Sequence, residues 1–87
     1  NPFGAHTPVE CWAEVFFNGV WSRTGFISTS NASSDGTAAS YVQGVGIVIQ
    51  TGASSVITQS WLAGGGHGTN TYTANAPCRV FVRKLEA

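Results

Sequence analysis

Charge is what this chain has least of. Its 87 residues include four basic and four acidic side chains, which cancel. About a quarter of an ordinary soluble domain is charged, so this surface must be made of Ser, Thr, Asn, Gln and Gly. Four basic groups leave no electrostatic footprint for nucleic acid or anionic lipid, and neither is expected as a partner. Long apolar runs are missing too. The strongest, Val45 to Ile49, is far too short to cross a bilayer, so no membrane insertion is expected.

Methionine is absent, and the first residues are Asn1-Pro2, which reads as an N-terminus left by removal of a signal peptide. There are only two cysteines, Cys11 and Cys78, and their spacing fits no zinc or redox motif. In a polar, lysine-poor chain they read as a disulfide in an extracellular setting. That bridge would close most of the domain in one loop, worth roughly 4 kcal/mol by chain entropy. A secreted protein is the expectation, folded as one domain over 1–87.

Helical periodicity and internal repeats are also lacking. Glycine, β-branched and aromatic residues dominate, with turn signals at short intervals, the pattern of an all-β chain. The prediction is a small antiparallel β-sandwich or barrel of about six strands. Its clearest element is "CWAEVFFNGVWSRTGFIS", residues 11–28. Asn18-Gly19 between alternating runs is a two-residue type I′ turn, because both central positions need positive φ. This sets Glu14 opposite Arg23, a favourable cross-strand charge pair. One face then carries Cys11, Ala13, Val15 and Phe17. The other carries Trp12, Glu14, Phe16, Trp21 and Arg23.

A second hairpin is predicted from 41–50 and 55–62, turning at 51–54 and setting Trp61 over Gly44. A last strand, 78–84, alternates Cys78, Val80 and Val82 with Arg79, Phe81 and Arg83, and points Cys78 into the core. A short strand near 69–74 precedes it. Residues 28–40, rich in Ser and Thr, read as a long polar loop. Asn31-Ala32-Ser33 within it is a glycosylation sequon.

Catalytic residues are scarce. "LAGGGHG", residues 62–68, has the glycines of a phosphate loop but no lysine and no following helix. It reads as a strand-to-strand connection with a solvated His67. A zinc site needs three or four ligands, and two histidines do not supply them. No metal and no cofactor are expected. Glu10 and Glu14 lie on one strand about 13 Å apart, beyond the carboxylate spacing of a glycosidase. Asp35 sits among Ser and Gly, where Asp is common for backbone reasons. The protein reads as not an enzyme; were it one, His67 would be the base.

The face of the first hairpin is the candidate site. Trp12, Phe16 and Trp21 surround Glu14 and Arg23, and a last strand beside 11–17 would add Arg79, Phe81 and Arg83. Flat rings among hydrogen-bonding groups suit a sugar, whose C–H face stacks while its hydroxyls bond. The same composition marks protein hot spots. The competing structural reading has residues 1–8 or a long loop cover these rings.

The expected function is therefore a secreted, non-catalytic binding module for a glycan or a cell-surface protein. The alternative is a secreted antagonist (antimicrobial, toxin-like, a host-directed effector or an enzyme inhibitor) acting through loop 28–40 or 62–70. Apolar edge strands would also permit a homodimer.

Overall fold

The computed structural model describes residues 1–30, 33–58, 67–69 and 71–85. Among them the chain forms six strands and no helix: β1 (Val9–Phe17), β2 (Val20–Arg23), β3 (Phe26–Ser30), β4 (Ser33–Val42), β5 (Gly46–Thr51) and β6 (Cys78–Lys84). They make two antiparallel three-stranded sheets, ordered β2-β1-β6 and β3-β4-β5. Neither closes into a barrel. With no helix among the described residues, none is long and apolar enough to cross a membrane.

The first hairpin is the one the sequence dictates. Asn18 and Gly19 both take positive φ, 54° and 79°, and the two-residue loop locks Glu14 opposite Arg23 and Phe16 opposite Trp21. β6 lies on the other side of β1, with Trp12 facing Phe81 and Glu14 facing Arg79. β1 is thus the centre of its sheet.

The second sheet departs from expectation. The described residues of 28–40 are strand rather than loop: 28–30 end β3, and 33–40 supply most of β4, the central strand of that sheet. Backbone ladders on both sides hold β4, and small Ser, Thr and Ala side chains suffice because its neighbours do the packing. The hairpin partner of β5 is β4, turning at 43–45, with Val45 N–H bonded to the Val42 carbonyl at 3.0 Å. The described part of the 55–62 segment, residues 55–58, does not pair with β5. Residues 52–55 fold back on β4 instead, through Ser54 N–H to Ser34 O at 2.9 Å and Gly36 N–H to Ser55 O at 3.0 Å. Among the described residues of 69–74 there is no strand. The Trp61–Gly44 contact, residues 62–66 and Asn31 of the sequon lie outside the described residues.

At Gly36 the backbone of β4 lies close against Gly25, just ahead of β3. The φ of Gly36 is 117°, and a β-carbon built there would fall inside the Gly25 carbonyl. No other residue fits.

The core is small and mixed. Among the described residues it comprises Val9, Ala13 and Val15 of β1 and Ile57, together with buried Thr24, Thr37, Ser55 and Thr58. Each hydroxyl is satisfied, as buried polar groups must be. The Thr24 and Thr58 hydroxyls are 3.1 Å apart, Thr37 Oγ1 donates to Val56 O at 2.8 Å, and Ser55 Oγ donates to Thr73 O at 2.9 Å.

The cysteines are not bridged. Both project on the Ala13–Val15 side of the sheet, as alternation requires. But Cys11 faces Val82 while Cys78 faces Val15, an offset of four positions, or about 13 Å of strand rise. A disulfide needs Cα atoms within about 7 Å. Cys78 is moreover exposed rather than in the core, and Cys11 is half-buried.

Candidate functional site

Antiparallel pairing brings all five predicted site residues onto one face of the β2-β1-β6 sheet, and β6 adds Arg79, Phe81 and Arg83. The face is open. Trp21 is 38%, Phe16 40% and Phe81 36% exposed, with Trp12 and Glu14 intermediate.

These side chains hold one another in fixed orientations. Trp12 stacks on Phe81 with centroids 5.2 Å apart and planes 17° from parallel. From the β2 side, the Arg23 guanidinium lies 4.7 Å from the Trp12 centroid. Strand order puts Arg23 and Phe81 on opposite sides of Trp12, so its ring is sandwiched. Arg79 sits 4.3 Å over Trp21 and 5.1 Å from Phe81, and Trp21 tilts against Phe16 at 5.3 Å. Such cation–π contacts add about 0.5–1 kcal/mol each at exposed sites. The rings therefore stand in a row interleaved with guanidinium groups.

The ion pairs differ from the expected one. Glu14 is directly across from Arg23 on the backbone, but its Oε1 accepts hydrogen bonds from Arg79 Nη2 at 2.7 Å and Nε at 3.0 Å. Glu10 pairs in the same way with Arg83, at 2.5 Å. Arg23 prefers the Trp12 ring, and among the described residues no carboxylate pairs with it. Compared with known protein families, curated proteins and solved structures, the chain matches none.

β2 ends at Arg23, after which the chain crosses to the second sheet. The ladder therefore stops at Glu14, and the flank of β1 beyond it opens into a cleft of about 180 Å³. Its walls are 11–13 of β1, the crossing segment 23–26, and 37–39 of β4. Nothing in the sequence points to this cleft, because one of its walls is strand built from a Ser-, Thr- and Ala-rich run with no apolar period. The Glu14–Arg79 pair, in contrast, was detectable. Glu10 and Glu14 are spaced like Arg79 and Arg83, and one antiparallel register satisfies both pairs at once.

His67 is not solvated. It is 2% exposed, and its Nε2 lies 2.7 Å from the Val15 carbonyl. That oxygen can only accept, so Nε2 carries the proton. The His67 carbonyl accepts from Asn18 Nδ2 at 2.9 Å, and the ring meets Phe17 edge-on at 6.2 Å. His67 thus ties the 67–69 segment to the first hairpin. Its Nδ1 has no partner among the described residues. No group of three or more potential metal ligands occurs among them either.

Proposed function

We propose that the protein is a secreted, non-catalytic binding module that recognises a glycan or other cell-surface target through the β2-β1-β6 face. The observation that carries this reading is an exposed row of aromatic rings held rigid by arginines. Side chains already ordered in the free protein lose little entropy on binding, and Trp, Tyr and Arg dominate binding hot spots. The secreted setting rests on the sparse charge and polar surface alone, now that the cysteines are unbridged.

Trp12, sandwiched between Phe81 and Arg23, presents its edge to solvent. Face stacking on a sugar therefore falls to Trp21 on the outer strand, and Trp12 serves to position Arg23. The antagonist reading keeps only 62–70, since 28–30 and 33–40 are strand, and no observation favours it.

The test is binding to arrays of glycans and microbial cell-wall polysaccharides by the native protein, Trp21→Ala and Trp12→Ala. Binding that both substitutions abolish, with the fold intact by circular dichroism, is the expected result. Binding that neither changes would move the site off this face. No binding, together with growth inhibition that depends on residues 62–70, would turn the reading to an antagonist.

A further inference from the structure

Resting on that reading, we infer that the cleft where β2 leaves β1 is the anchoring subsite, and that it takes a carboxylate-bearing sugar residue such as a uronic acid. Three features converge. The first is charge: Arg23 is the one charged residue among those lining the cleft. The Glu14 carboxylate opposite it is held by Arg79. The sheet face as a whole has Glu10 and Glu14 against Arg23, Arg79 and Arg83, leaving a single positive charge in excess. One guanidinium balances one carboxylate and matches its two oxygens in a fork. A dianionic phosphate would leave charge uncompensated.

The second feature is size. At about 180 Å³, the cleft is below the roughly 300–1,000 Å³ of sites for drug-sized ligands, so it admits a single ring. The third is polar backbone that the β1–β2 ladder does not reach. The hydroxyls of Thr24 and Thr37 are already bonded, to Thr58 and the Val56 carbonyl. The backbone of β1 is different. Phe16 N–H is directed to the β6 side, where it meets Pro77 O at 2.9 Å, so alternation directs the odd-numbered residues toward β2. At Cys11 and Ala13 β2 is no longer there. Their amide and carbonyl groups border the cleft and can meet ring hydroxyls.

An acidic peptide added as a strand along β1 is the competing occupant. It would have only Val9–Ala13 to pair with, and the crossing segment 24–26 would block its path at Glu14. A single compact ring fits this space better.

Cys11 makes the proposal testable at the cleft itself. It lines the cleft and is a free thiol, while Cys78 is a free thiol outside it. The experiment measures binding of oligogalacturonate and hyaluronan fragments, each beside its carboxyl-reduced form, with dextran sulfate and poly-glutamate as further probes. Alkylation of Cys11 and Cys78 by iodoacetamide is followed by peptide mass spectrometry.

The expected result is binding of a uronate oligomer that its carboxyl-reduced form loses and that slows alkylation of Cys11 but not Cys78. Arg23→Gln should weaken it roughly 10- to 100-fold, the range of a charge-assisted pair, and Lys84→Gln should not. Equal binding of native and carboxyl-reduced oligomers would overturn the carboxylate assignment while leaving the glycan-binding function standing. Preference for poly-glutamate or dextran sulfate would overturn it in favour of a peptide or a general anion. Binding that leaves Cys11 unprotected would move the subsite out of the cleft. No binding of any glycan would overturn both the subsite and the function.

Discussion

The two sheets are built from different chemistry. The β2-β1-β6 sheet holds Glu10, Glu14, Arg23, Arg79, Arg83 and Lys84, together with Trp12, Phe16, Trp21 and Phe81. The β3-β4-β5 sheet holds Asp35 as its one charged residue, and its central strand reads Ser-Ser-Asp-Gly-Thr-Ala-Ala-Ser-Tyr-Val. The first sheet displays large side chains on one face. The central strand of the second uses small ones from Ser33 to Ser40 and lets backbone approach backbone, as at Gly25 and Gly36. Recognition should therefore respond to the exposed face of the first sheet, and stability to the second sheet and the buried face of β1.

The sharpest way to break that division is at Gly36. Gly36→Ala places a β-carbon in the Gly25 carbonyl and demands an unfavourable φ, at a cost of about 3 kcal/mol or more. Loss of a cooperative thermal transition is the expected outcome; a melt like that of the native protein would mean the sheet is far more plastic than its backbone contacts imply. Ile57→Ala comes next. Ile57 is fully buried, and its truncation should cost about 2–4 kcal/mol in urea unfolding.

Thr24→Val is smaller in effect. It removes the acceptor of Thr58 N–H, which bonds Thr24 Oγ1 at 2.7 Å, and leaves a buried donor unpaired, at about 1–3 kcal/mol. A change near zero would show that water reaches the site. The least effect on stability belongs to the first sheet's own face. Arg79→Gln breaks a pair whose side chains are 45% and 21% exposed, so it should shift unfolding by less than about 1 kcal/mol. Yet it frees Glu14 and uncovers Trp21, and binding should change. A variant that loses stability and binding together would erase the contrast between the sheets.

The same contrast explains what could be read from the chain. The first hairpin was legible because a two-residue turn, alternation and cross-strand charges all agree on one register. β6 was legible from its own alternation. The aromatic face followed from those two elements, but its exposure did not: a covering segment was an equal reading of the sequence, and only the structure shows Phe16, Trp21 and Phe81 exposed. β4 was not legible: a run of Ser, Thr and Ala has no apolar period, and its strand conformation comes from neighbours on both sides. Gly44, expected within a strand, lies in the turn that joins β4 to β5. The cleft needed both sheets, so it was out of reach. The two cysteines shared a face as alternation requires, but a shared face fixes parity and says nothing about offset along the strand.

That offset leaves the scaffold one substitution away from a covalent lock. Cys11 and Val82 are direct neighbours across β1 and β6, at a pair of the non-hydrogen-bonded kind, where Cα atoms come within about 4.5 Å. The native protein should melt at the same temperature with and without reductant. Val82→Cys should give a melting temperature that falls when reductant is added, and its crosslink would lie beside the cleft. A binding surface could then be opened or stiffened by the redox state of its surroundings, using a thiol the chain already carries.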